Sequence, residues 1–295
     1  MKCLQLFLLV IVSSQSIGSY LSAYSGLHIG QHQYLEDTAS LNTPYVGLRL
    51  DGTQHRNKDS GWLARGLAAD FKQGQGLQRF QGQLPLFHWT KTHGLWVEYQ
   101  YSQQSLEATL SESAIFLGKD GTTTSIAADA NVSSDLQQST LSLYWYEASK
   151  QIGPINYLGV FQTTQLTPAA STLTGTNASL FDGRFSGFGL ILGRKKDTRG
   201  LSFQWHMGLS QLDSDFSNDV TGHRSASQSE STVYQLDLNF GWQYRYYLAP
   251  YWYLVPKVKL RVTTTMQTTM DPQQVDHDTF LYLDSQTEVS LQKRF

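Results

Sequence analysis

Residues 233–247 read VYQLDLNFGWQYRYY, and this stretch decides the fold. Its alternate residues separate into two sets. Tyr234, Leu236, Leu238, Phe240, Trp242, Tyr244 and Tyr246 are apolar or aromatic, whereas Gln235, Asp237, Asn239, Gly241, Gln243 and Arg245 are polar or small. A period of two over this length specifies an extended strand with one apolar and one polar face. The aliphatic side chains fall near the middle of the apolar face and the aromatic ones towards its ends. That order suits a strand crossing a bilayer, with aromatic girdles at the interfaces and polar side chains directed into a lumen. The stretch therefore predicts an all-β protein, a transmembrane up-and-down antiparallel β-barrel.

The same pattern recurs on both sides of it. A first strand near 21–33 sets Ala23, Ser25, Leu27 and Ile29 against Tyr24, Gly26, His28, Gly30 and His32. A second, near 44–52, sets Val46, Leu48 and Leu50 against Tyr45, Gly47, Arg49 and Asp51. Residues 61–71 and 81–89 form a glycine-rich, poorly alternating pair. Clear alternation returns in 95–101, 136–147, 183–194, 201–212, 252–263 and 287–295. The count is about twelve strands, or ten if the weak pair is dropped. No alternation with helical periods interrupts the series.

The chain opens with Met1 and Lys2, an apolar run over 3–12, then small polar residues to Ser19. A positive start, a short apolar core and a small-residue exit describe a secretory signal peptide. A spanning helix would need about 20 apolar residues. The expected organisation is a signal peptide over 1–19 and a barrel domain over 20–295. Cys3 is the sole cysteine, so an exported, processed chain has no disulfide framework and must rely on a core or on lipid. The net charge of −2 lacks the basic excess that nucleic-acid partners require. No cofactor or metal is implied: the acids at 213–219 and 276–278 have a spacing that could hold calcium, but the EF-hand pattern with its glycine is absent, and short acid runs in loops are usually solvated.

Connections after the fifth strand alternate long and short. The stretches 104–134, 167–180 and 213–231 are long and rich in Ser, Thr and Asp. Bacterial barrels have short periplasmic turns and longer extracellular loops, so a chain that starts in the periplasm places all three outside.

The last strand ends TEVSLQKRF. With Phe295 at the end and Leu291 and Val289 at alternating positions before it, this strand resembles the terminal signature of Gram-negative outer-membrane proteins. Lys293 departs from the signature, which prefers an apolar or aromatic residue there. The resemblance is to the general class and to no single family within it. It implies insertion by the barrel-assembly machinery, outer-membrane lipid as the surrounding partner, and an outer-membrane location.

The candidate functional residues lie on the polar faces. Lys257, Lys259 and Arg261 form a basic line on one strand, and Arg245 continues it across the hairpin. A line of like charge on a lumen wall favours anions. A short turn near 248–250 pairs these strands so that Asp237 falls opposite or diagonal to Arg261, and Glu288 on the last strand reaches Lys257 or Lys259. Two readings of the line stay open, ion pairs filling a barrel or a selective pore wall; about twelve strands permit either. His28, His32 and His206 also face inward, as ordinary lumen polar groups or as a ligand or base set. Asp213, Asp215 and Asp219, and Asp276, His277 and Asp278, are expected in extracellular loops, where acids and a histidine would suit an outer-rim enzyme of the omptin type. The leading expectation is a narrow, porin-like passive channel for small hydrophilic solutes, with a basic wall that favours anions. The alternatives are a rim or lipid-phase hydrolase (protease, lipase or lipid A-modifying) and a filled structural or adhesive barrel. Spacing alone assembles no catalytic set.

Overall fold

A computed structural model describes residues 19–34, 37–52, 68–88, 93–109, 114–117, 123–147, 155–167, 171–173, 176–178, 183–198, 200–216, 231–271 and 274–294. The expected signal peptide (up to residue 18) and Phe295 lie outside them. Twelve strands form the wall: β1 Ser19–Tyr34, β2 Asp37–Gly52, β3 Ala68–Gly74, β4 Leu77–His88, β5 His93–Thr109, β6 Asn131–Glu147, β7 Tyr157–Thr167, β8 Gly183–Thr198, β9 Leu201–Phe216, β10 Ser231–Tyr244 continued by Tyr246–Ala249, β11 Trp252–Asp271 and β12 Gln274–Arg294. Two small hairpins, Ala114–Leu117 with Thr123–Ile126 and Ser171–Leu173 with Thr176–Ala178, lie in the β5–β6 and β7–β8 connections. The described residues include no helix.

Each strand pairs antiparallel with its neighbours in sequence, and β1 closes the ring on β12, from Tyr20 opposite Arg294 to His32 opposite Tyr282. Closure satisfies the ladder donors and acceptors that an edge would leave bare, which is the condition for a sheet inside lipid. Twelve strands replace the ten-strand alternative. The weak pair is real but short and displaced: β3 and β4 turn at residues 75 and 76, with Gly76 at φ +64°, a conformation glycine adopts without a Cβ penalty. Past this turn β5 reaches across to β2. Ser105 N–H donates to Gly76 O at 2.8 Å, and Ser40 stands opposite Glu107. Near the β3–β4 turn the barrel thus narrows from twelve strands to ten, which is why this pair read so poorly in the sequence.

Pro256 leaves its mark as well. It lacks a ladder donor, and the β10 ladder is interrupted at Arg245, between Tyr244 and Tyr246. On the β9 side the ladder runs on: Arg245 N–H donates to Gly200 O, next to Leu201, at 2.8 Å.

Several expected loops are strand instead. β11 and β12 continue to a two-residue connection at 272–273, with Asp276, His277 and Asp278 opposite Thr269, Thr268 and Gln267. Asp213 and Asp215 belong to β9, opposite Ser186 and Arg184. Asp219 lies outside the described residues. Backbone pairing needs no apolar face, and the β-branched threonines of β11 favour extended structure, so these hairpins run on where the sequence turns polar. β5 likewise extends to Thr109 and β6 starts at Asn131, which shortens the expected 104–134 loop.

Candidate functional site: a layered lumen

The two faces of the wall have opposite chemistry. Phe188 and Leu190 point outward, 71% and 61% exposed, and Val46, Leu158, Val160, Leu209 and Val289 are exposed elsewhere on the same outer face. Asp284 and Glu288 point inward, 1% and 4% exposed, with His28, Gln104, Gln235 and Ser290 also buried. Tyr246, Tyr247, Tyr251 and Trp252 are exposed around the β10–β11 turn, at the end that carries both termini. A closed wall that is apolar outside, polar inside and aromatic at its rim is soluble in lipid and not in water. The chain is a transmembrane β-barrel of the outer-membrane type.

The comparisons add distant likenesses. No protein-family model and no curated protein matches the chain. Among solved structures, the translocator domain of the autotransporter NalP from Neisseria meningitidis is 10% identical, covering 97% of this chain and 92% of that one, with a TM-score of 0.44. The outer-membrane protease OmpT from Escherichia coli is 9% identical over 94% and 97%, with a TM-score of 0.33. The toluene transporter TbuX from Ralstonia pickettii is 9% identical over 95% and 90%, with a TM-score of 0.29. Likenesses this remote carry no activity over to the chain.

Inside, the side chains stand in layers. The layer nearest the termini is aromatic. Arg245 lies over the rings of Tyr20 (4.7 Å) and Tyr253 (5.7 Å). Arg294 also lies over Tyr20, at 5.9 Å.

The next layer is centred on Glu288. Arg49 Nη1 donates to its Oε1 at 2.8 Å and Lys72 Nζ to its Oε2 at 3.1 Å. Lys257 Nζ lies 3.4 Å from Oε1. Arg49 also donates through Nε and Nη2 to Asp70 Oδ2, at 3.1 and 2.8 Å, and Tyr24 donates its hydroxyl to Asp70. Lys72 sits between the rings of Tyr24 (5.5 Å) and Tyr45 (5.1 Å). Tyr24 in turn lies over Gly47, where a Cβ would come within 2.2 Å of its ring. The missing side chain is the seat of the tyrosine.

A third layer holds two further carboxylates. Arg79 from β4 pairs with Asp284. His28 Nδ1 lies 3.2 Å from Asp284 Oδ1, not aligned for a hydrogen bond, and its Nε2 faces Gln104 Oε1 at 3.3 Å. Arg261 donates through Nε and Nη2 to Asp237 Oδ1 at 3.0 and 2.8 Å, while its Nη1 crosses to Gln138 Oε1 on β6 at 2.9 Å. Towards the far end Tyr282 donates to Gln104 Oε1 at 2.7 Å, and Leu41, Leu106 and Leu136 pack against Tyr282.

Of the residues singled out in the sequence, Lys257, Glu288, Arg261, Asp237 and His28 thus lie within this network. Arg245 belongs to the aromatic layer. His206 stacks edge-on against Tyr157 at 6.2 Å. The backbone of His32 pairs with Ala39 and Tyr282. Val289 and Leu291 are exposed on the outer face. Lys259 stands apart: it faces Gly241 and Gln286 across the ladder, is partly exposed, and makes no ion pair or hydrogen bond among the described residues.

Sequence reasoning passed over Arg49, Asp70, Lys72, Arg79 and Asp284. The signal existed for some of them. Tyr282, Asp284, Gln286 and Glu288 alternate with Leu281, Leu283 and Val289, and Asp70 and Lys72 straddle Phe71. Convergence of β2, β3 and β4 on β12 is a property of the closed ring and has no trace in local spacing. The described residues contain no group of three or more His, Cys, Asp or Glu placed to hold a metal.

Proposed function

We propose that the barrel is a narrow passive passage for small hydrophilic solutes in the outer membrane, with anions weakly favoured. Lys259 carries this reading. A lumen-facing ammonium without a directly paired carboxylate requires water, and Lys259 remains partly exposed, as do Gln81, Glu98, Gln204 and Asn239, while Gln100 is exposed. These side chains outline a wet space on the half nearer the termini. The basic line supports the sign of the preference. Lys257 and Lys259 stand together on the inner face of β11, and a field of one sign along a low-dielectric wall attracts the opposite charge.

The constriction lies further along. The bridge from Arg261 to Gln138, and the contact of Tyr282 with Gln104, join strands on nearly opposite sides of the ring. Thr163, Ser210, Gln235 and Thr263 are buried at about this level. That burial also supports a second reading, a barrel filled by its own side chains.

Planar-bilayer recording under a salt gradient tests the two. Small discrete steps with an anion-leaning reversal potential are expected, and Arg261→Ala is expected to enlarge them. Silence from both wild type and Arg261→Ala, each folded, would favour the filled barrel.

A further inference from the structure

The lumen contains a second charge without a direct ion-pair partner among the described residues. Glu98 on β5 accepts hydrogen bonds from Gln81 Nε2 (3.1 Å) and Gln100, and no cation among the described residues pairs with it. β5 and β11 stand half-way round the ring from one another. On the wall that joins them stand Tyr157 of β7 and His206 of β9, whose rings meet edge-on at 6.2 Å. Ladder partners carry the level of Glu98 to Thr265 on β11 one way round the ring and to Tyr251 the other, so on the opposite wall that level falls half-way, at Val258 beside Lys259. Both charges therefore border one space, from opposite walls.

The other described lumen charges near that space behave differently. Lys72, Lys257 and Arg49 share Glu288, Arg261 holds Asp237, and Arg79 holds Asp284. Each of those pairs is nearly buried and cancels over a short distance. An acid and a base kept apart across water do not cancel; they set a transverse field, strongest between low-dielectric walls. Glycine at position 241 next to Lys259 and the neutral donors and acceptors Gln81, Gln100 and Gln204 leave room beside the two groups.

We propose that this pair selects small zwitterionic solutes bearing one carboxylate and one ammonium group, such as amino acids or very short peptides. The carboxylate turns to Lys259 and the ammonium to Glu98. A dipolar solute satisfies both walls at once, whereas a simple anion leaves Glu98 unanswered and an uncharged solute gains nothing from either.

This inference rests on the passage reading and is tested by liposome swelling alongside bilayer recording. Glycine is compared with glycolamide, an uncharged solute of similar size. Swelling with glycine several-fold faster than with glycolamide is expected. Lys259→Gln and Glu98→Gln should each bring the two rates together, and should move the reversal potential in opposite directions, towards cations and towards anions. The swap Lys259→Glu with Glu98→Lys should restore the preference, because the field is reversed and not lost. Lys259→Met serves if the glutamine variant fails to fold. Equal glycine and glycolamide rates through a conducting wild-type channel overturn the zwitterion site and leave the passage intact. No swelling and no conductance overturn both.

Discussion

At the scale of single residues, Glu288 is the side chain on which most depends. One carboxylate answers Arg49, Lys72 and Lys257, all at most partly exposed. Removing one partner of a buried pair leaves uncompensated charge, at a cost of about 3–5 kcal/mol. Glu288→Gln is expected to lose stability of that order, read from urea titration of the folded, heat-modifiable band. Adding Lys257→Met should recover part of the loss. An unchanged midpoint would mean that water, not Glu288, neutralises the cations. Gly47 is the other sensitive position. A Cβ there meets the Tyr24 ring at 2.2 Å and the Phe71 carbonyl at 2.5 Å, and backbone cannot move as a flexible side chain can. Gly47→Ala should cost about 1–3 kcal/mol, as overpacking does, and the same titration measures it. Glu288 and Gly47 were both visible in the sequence as inward positions. Apart from Lys257, the partners they meet were not, because Arg49 and Lys72 lie 239 and 216 residues from Glu288 along the chain, and Tyr24 meets Gly47 across a hairpin whose register the spacing left open.

At the scale of elements, the β3–β4 hairpin shapes one end of the barrel. Its early turn lets β2 and β5 meet directly, with Ser40 opposite Glu107. Cysteines at these two positions, in a chain whose sole native cysteine is Cys3, should form a disulfide on mild oxidation. A faster band on a non-reducing gel reports it, and a pair displaced by one residue on β5 should not react, because alternate side chains leave opposite faces of the sheet. Failure of the directly opposed pair alone would place β3 and β4 between β2 and β5 along their full length. Period-two reading missed this junction for a physical reason: strand pairing here is decided by which neighbour runs out first, and that is a matter of lengths and not of faces. The polar ends of β9, β11 and β12 were misread for a related reason. Outside the bilayer a hairpin has no need of an apolar face, so its residues alternate no longer and resemble loop.

At the scale of the whole molecule, the inverted pattern of burial governs solubility. Leu190 lies on the outer face near the middle of β8. An arginine at a lipid-facing midplane position costs about 2–4 kcal/mol. Leu190→Arg should therefore lower the yield of folded protein in lipid vesicles, seen as loss of the band that shifts on boiling. Gln204→Arg, on the lumen face of the neighbouring strand, should leave that band nearly unchanged. Equal losses would argue that the outer face meets protein and not lipid.

The amino-acid sequence by itself determined the class of fold and the side of the wall on which each regular residue falls. Both follow from a local rule, since consecutive side chains of a strand leave opposite faces and lipid demands one kind of face. It also placed Asp237 opposite or diagonal to Arg261, because hairpin register follows from turn length, and set Glu288 within reach of Lys257 or Lys259. Only the tertiary structure decided what the lumen contains. Ring closure brings β12 against β1 and aims β2, β3 and β4 at the same carboxylates. It also leaves Lys259 and Glu98 on opposite walls, each without a direct ion-pair partner among the described residues. Such groups are brought together by the circumference of the barrel, and no spacing along the chain records a circumference.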